Sequence, residues 1–174
     1  MLVADTLAFV RGYWRIERSL TDHRSGANGS FAGVASFLPL TGGQAGLRYQ
    51  ETGDVRLGGH RWPASRSLLW LPAPSGSADV RFTDGRPFHL ANLRSGRWQA
   101  EHHCGEDLYH VSYHVRGPGV LAECWRAHGP RKDYLIITAL TRLSSQAVSA
   151  GASLPRARTR HPANRQSSQI ETCK

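Results

Sequence analysis

The apolar segments of this chain lie too close together in sequence for helices to connect them. Between Gly12 and Leu143, short alternating runs are interrupted every few residues by glycine-based reversals such as Asp84-Gly85, Ser95-Gly96, Gly117-Pro118-Gly119 and Gly129-Pro130. Parallel pairing needs a crossover of a dozen or more residues, so sequential neighbours here must pair antiparallel. The first run is the clearest. In Gly12–Leu20, Trp14, Ile16 and Leu20 share one face, while Tyr13, Arg15, Glu17 and Ser19 take the other, as in a half-buried strand. Ser30–Leu38 and Gly46–Thr52 follow, the latter ending at Gly53, and Asp54–Leu57 leads into Gly58-Gly59. The pattern continues through Arg66–Leu71, Ala78–Thr83, Pro87–Leu93, Arg97–Cys104, Asp107–Val115, Val120–His128 and Asp133–Leu143. A short helical turn over Asp5–Val10, capped by Asp5 or Thr6, precedes them.

Roughly ten short strands at this spacing predict an all-β domain. A meander exposes two edges unless it closes on itself. The expected fold is therefore a single antiparallel up-and-down barrel of about 8–10 strands, with a sandwich as the alternative. The 174 residues suffice for one domain with a real core. That domain is expected over residues 1–143. From Ser144 to Lys174 the composition shifts to Ser, Ala, Arg, Pro and Gln without aromatics, which predicts a disordered basic tail.

Charge narrows the partners. The net charge is +9, and the tail holds Arg156, Arg158, Arg160, Arg165 and Lys174 against Glu171 alone. The remaining cations are scattered among acids and lack the aromatic-plus-basic strand pattern of a nucleic-acid platform, so nucleic acid is not the expected partner. Three cysteines, Cys104, Cys124 and Cys173, form no CxxC pair. That odd count points to a reducing compartment without a disulfide framework. With no leader-like N-terminus and no apolar run near membrane-spanning length, the expected location is cytoplasmic.

Reactive side chains gather between Glu101 and Arg142. On the hairpin formed by Arg97–Cys104 and Asp107–Val115, alternation puts Asp107, Tyr109, Val111 and Tyr113 on one face and Leu108, His110 and His114 on the other. The bulkier set is expected inside, with Asp107 at the mouth and Tyr109 just within it. His102 and Cys104, with Asp107 or His89, form the only plausible zinc set, but their spacing matches no standard pattern and no metal is assigned. Cys104 as a nucleophile needs a neighbouring base; the plainer expectation is packing. Past Gly129-Pro130, Lys132 is expected to pair with Asp107 or Asp133, tying the last strand to the hairpin; an anion grip by Arg131 or Lys132 is the other reading. Arg142 is expected to stack on Trp14 and seal the first strand to the last.

These motifs, Tyr13-Trp14-Arg15-Ile16-Glu17-Arg18, Phe31-x-Gly33-x-Ala35-x-Phe37, Tyr49-x-Glu51-x-Gly53, Phe82-x-Asp84-Gly85-Arg86-Pro87-Phe88-His89, His102-x-Cys104-x-x-Asp107-x-Tyr109 and Gly129-Pro130-x-Lys132-Asp133-Tyr134, carry a resemblance. Over roughly Phe9–Leu143 the chain resembles an uncharacterised family in the domain-of-unknown-function series, number sixty-three fourteen. Gly12-x-Trp14 with Arg142 is similar to the closure signature of lipocalin-like (calycin) barrels. The resemblance implies a single lipocalin-like barrel without an established activity. It marks Glu51, Arg66, His89, His102, Cys104, Asp107, Tyr109, Lys132, Asp133 and Tyr134, a set more polar than a purely structural core requires.

The leading functional expectation is a barrel that binds a small, partly polar ligand, such as an anion-bearing metabolite or a tetrapyrrole. Trp14, Tyr109 and Tyr134 would supply walls, and His102, Asp107 and Lys132 would orient the ligand. The second is an enzyme, an isomerase, cyclase or hydrolase, using His102 and Asp107 as an acid–base pair. The third is an interaction module acting through the tail. No cofactor is identified.

Overall fold

The structure, a computed structural model, describes residues 1–144; the predicted tail lies beyond the described residues except for Ser144. A short helix α1 (Thr6–Val10) precedes ten strands: β1 (Gly12–Asp22), β2 (Asn28–Pro39), β3 (Leu47–Leu57), β4 (His60–Ala73), β5 (Ser77–Phe82), β6 (Pro87–Ala91), β7 (Arg97–Cys104), β8 (Asp107–Gly117), β9 (Val120–His128) and β10 (Asp133–Arg142). All neighbours pair antiparallel in one sheet ordered β6-β5-β4-β3-β2-β1-β10-β9-β8-β7. The first and last strands meet from Trp14↔Arg142 to Asp22↔Tyr134. The sheet thus curls into a nearly closed antiparallel up-and-down barrel, as the turn spacing predicts.

One junction has no backbone ladder. β6 and β7 form the two ends of the sheet order and face each other across a seam. Side chains bridge it: Trp98 Nε1 donates to the Leu90 carbonyl at 2.7 Å, and the Phe88 and His102 rings meet edge-on at 4.9 Å. Closure by rings rather than by a ladder leaves this seam the weakest join in the wall.

The end near α1 is sealed. Asp5 caps α1 by accepting from the Ala8 amide at 2.8 Å. Trp14 is fully buried and donates from Nε1 to the Val10 carbonyl at 2.6 Å. The Arg142 guanidinium lies 4.2 Å from the centroid of a Trp14 ring and donates to the carbonyls of Arg11, at 2.7 Å, and Phe9. One cation therefore joins β10, β1 and the helix. The opposite end carries the reversals between β1 and β2, β3 and β4, β7 and β8, and β9 and β10, and it is the barrel mouth.

Gly53 is not a strand end. β3 runs straight through it, and β4 begins at His60, earlier than its apolar run suggests. The reversal sits at Gly58 and Gly59, whose φ values of 57° and 80° suit a two-residue hairpin. Gly53 instead faces Gly33 across β2 and β3. A Cβ on Gly53 would lie 2.3 Å from the Ala32 carbonyl oxygen, and the Phe31 ring covers the pair. Its glycine serves close approach rather than a turn.

Arg142→Ala is expected to lower stability by about 2 kcal/mol, through loss of the ring stack and of a donor to two helix carbonyls. Denaturant midpoints give the magnitude. Hydrogen exchange should show the loss first in α1, ahead of the β8–β9 hairpin.

Candidate functional site

Alternation sorts the barrel interior as predicted on β8: Tyr109, Val111, Tyr113 and Val115 are buried and face inward. The same rule places a charge inside β1. Arg18 falls on the face of Trp14 and Ile16, and it reaches the barrel centre. There it grips Glu51 in a fork, Nη1 to Oε1 at 2.9 Å and Nη2 to Oε2 at 2.8 Å, and its Nε donates to Thr138 Oγ1 at 3.0 Å. Arg66 approaches Glu51 Oε1 from the other side at 3.4 Å, and the Tyr49 hydroxyl donates to Oε2. Aromatic faces flank both guanidiniums, Phe31 at 5.1 Å from Arg18 and Tyr49 at 5.7 Å from Arg66.

Burial alone would raise the Glu51 carboxyl, but Arg66 and Arg18 overcome it and hold it at about 2, so Glu51 is a carboxylate. Burial lowers both arginines while Glu51 more than compensates, and both stay charged. The contact of Arg66 with Glu51 runs through its buried Nε and lacks hydrogen-bond geometry. Its fork is only part-used.

Two interior spaces meet at Arg66. The outer chamber, toward the mouth, is lined by Arg18, Arg66, Phe88, His102, Tyr109, Trp125, Tyr134 and Ile136. The inner chamber, toward α1, includes Tyr49, Trp70, His89, Tyr113, Glu123 and Trp125 in its walls. Each holds about 20 Å³, room for about one water. Small-molecule pockets usually hold a few hundred cubic ångströms; here side chains fill most of the interior. Phe88 and Trp125 stack in parallel at 5.1 Å with an interplanar angle of 5°, walling the outer chamber.

At the mouth, Lys132 pairs with Asp107 at 3.1 Å and donates to the Tyr109 hydroxyl at 2.7 Å, while the Tyr134 and Tyr109 hydroxyls are 3.1 Å apart. The Lys132–Asp107 tie is the structural pairing anticipated from the sequence. Burial lowers the Lys132 ammonium, but its bonds to Tyr109 and Asp107 raise it, so it remains charged. Burial pushes the Tyr134 hydroxyl up, with Tyr109 adding to the effect. Asp107 directs its carboxylate at Lys132, whereas His102 packs among Phe88, Phe82 and Tyr109. Burial lowers His102.

The remaining predicted residues separate. Trp14 lies at the sealed end and lines neither chamber. His89 belongs to the inner chamber, where Nε2 meets the Tyr113 hydroxyl at 2.8 Å. Asp133 pairs with Arg126 at 3.7 Å and approaches His128 at 4.0 Å, tying β10 to β9 rather than to Lys132. Arg131 is exposed. Cys104 is buried at the end of β7 and is not a free thiol, contrary to the expectation from the odd cysteine count; among the described residues Cys124 is free. No group of three His, Cys, Asp or Glu among the described residues is placed to hold a metal. Sequence reading missed Arg18, Phe88, Trp125 and Glu123 as lining or network residues. Alternation with Ile16 signals Arg18, and alternation with Leu121 and Trp125 signals Glu123.

Two acid-sensitive windows follow. Burial holds His89 at about 3 against an ordinary 6.5, so it favours the folded state when neutral. Its contribution is complete above pH 6.5 and is lost as pH falls toward 3. His102, also lowered, acts in the same direction. Glu51 contributes fully above its ordinary 4.5 and loses that contribution as pH falls toward 2. Denaturant midpoints across this range should decline in both windows. His89→Gln is expected to flatten the upper one, and Glu51→Gln the lower.

Comparison with known proteins agrees with this fold. The S-type phycobiliprotein lyase CPES from Guillardia theta is similar at a TM-score of 0.55 and 10% identity, over 83% of this chain and 94% of that one. At that identity the likeness shows the fold alone. A protein of unknown function of the DUF3598 family from Nostoc punctiforme matches at 0.42 and 9% identity, over 82% of this chain and 50% of that one. The redesigned barrel mFAP1, bound to DFHBI, matches at 0.40 and 12% identity, over 78% and 97%. Scores this low carry no argument. Among the described residues no helix is long and apolar enough to cross a membrane. No curated protein matches the chain. A family model does match, over residues 10–142, and the chain belongs to that family, a family of unknown function (DUF6314).

Proposed function

We propose that this barrel binds a small, partly polar molecule in the outer chamber. The observation that carries the reading is the chamber's composition. Aromatic walls, Phe88, Trp125, Tyr109 and Tyr134, stand over two guanidiniums that share one carboxylate, Glu51. A purely structural core has little use for an excess of buried charge, because burying a charge is costly. Apolar walls with a few convergent polar groups are the usual composition of a small-molecule site.

The closed chamber holds about 20 Å³, so ligand entry requires the wall to move. The seam beside it is where the wall yields most easily. Phe88 and His102 sit on opposite sides of that seam and both line the chamber. Outward rotation of His102, which is only partly buried, breaks its hydrogen bond to the Phe88 backbone but no strand ladder, and it enlarges the chamber. Lys132 acts from behind, fixing the Tyr109 hydroxyl through its 2.7 Å bond.

Native mass spectrometry of the purified protein, with an absorbance scan, tests the reading. A retained molecule of defined mass is expected, released on denaturation. His102→Ala and Lys132→Ala should each weaken retention by about tenfold or more, the first through the gate and wall, the second through Tyr109. A clean protein mass, with no saturable binder found among aromatic metabolites, contradicts it.

A further inference from the structure

We infer that the ligand of the outer chamber is a flat aromatic molecule bearing one anionic group, and that Arg66 is the residue that selects it. This rests on the binding reading above and adds to it the chemical class and the selecting residue.

Charge placement is the first argument. Both ionic side chains that line the outer chamber are guanidiniums, Arg18 and Arg66. The carboxylates that balance them stand elsewhere. Glu51 lies behind the arginines and lines neither chamber, and Glu123 faces the inner one. At the rim, Asp107 is neutralised by Lys132 at 3.1 Å. Burial lowers His102, which favours its uncharged form. A molecule in the outer chamber thus meets positive charge at its floor without a facing carboxylate.

The two arginines are not equivalent. Arg18 commits Nη1 and Nη2 to Glu51 and Nε to Thr138. Arg66 makes no such fork: its Nε faces Glu51 Oε1 at 3.4 Å, an ion pair without hydrogen-bond geometry. A carboxylate or similar anion in the chamber would accept from the Nη groups of Arg66 in a charge-assisted bond, the strongest class available to a guanidinium. Shape supplies the second argument. The parallel Phe88–Trp125 stack presents planar faces, and Tyr109 and Tyr134 stand at 72° to each other. Flat rings pack best against such walls.

Naphthoate and naphthamide form a matched pair that differs in charge but hardly in shape. Each is titrated into the full-length protein by heteronuclear NMR, following the guanidinium Nε–H and indole N–H signals. Naphthoate is expected to bind about tenfold tighter than naphthamide, as one charge-assisted hydrogen bond implies, and to shift the Arg66 Nε–H signal. Arg66→Gln should reduce the affinity ratio to about one. Arg131→Gln, which removes an exposed cation, should leave the ratio intact.

Equal affinities in the native protein overturn the inference while leaving the binding reading standing. So does a ratio that survives Arg66→Gln or disappears in Arg131→Gln. Binding of neither compound overturns both. Should Arg66→Gln fail to fold, Arg66→Lys keeps the charge and the approach to Glu51. It is expected to retain a preference for naphthoate, and equal affinities in that variant contradict the assignment.

Discussion

At the centre of the barrel, one carboxylate sits between two guanidiniums, and the layout of the interior depends on that arrangement. Glu51 on β3 connects Arg18 on β1 with Arg66 on β4, and through Arg18 reaches Thr138 on β10. Four strands converge on one buried charge cluster. Such a cluster is a poor source of stability, because removing these charges from water costs about as much as their attraction returns. What the cluster does is divide the interior. It separates an inner chamber lined by Tyr113, His89 and Glu123 from an outer one that opens toward the mouth.

The wall is similarly uneven. Most of the barrel is held by continuous ladders, and Arg142 across Trp14 locks the end near α1. Between β6 and β7 the ladder is replaced by rings and side-chain hydrogen bonds. Phe88 and His102 therefore have two roles. They close the seam, and they line the chamber immediately behind it. A rigid cage with one soft join is suited to admitting a molecule without loss of the fold, because the opening is confined to its least hydrogen-bonded part.

Much of this could be read in the chain. Short connections dictate antiparallel pairing, and the edge problem of a long meander dictates closure, so the barrel follows from the turns. The inward set on β8 follows from the bulk of Tyr109, Val111 and Tyr113. Contacts across strands were harder to see. Alternation shows that Arg18 points inward, but its pairing with Glu51 depends on register between β1, β2 and β3. Gly53 resembled a stop because a strand glycine and a turn glycine look the same until the Gly33 opposite is known. His102 and Asp107 are near in sequence, yet the carboxylate goes to Lys132, which arrives from another hairpin.

On the proposed reading, the buried charges are kept for binding rather than for stability. Replacing the whole cluster at once, as Arg18→Met with Glu51→Leu and Arg66→Met, tests this most directly. Removing all three together leaves neither Glu51 nor an arginine as a lone buried charge, and Glu123 keeps its bond from Trp125 Nε1. Denaturant unfolding and naphthoate titration of that one variant are predicted to show a midpoint unchanged or raised, as buried ion pairs replaced by apolar side chains often do, together with loss of binding. A sharply lowered midpoint with binding retained would contradict the account and make the cluster a structural device.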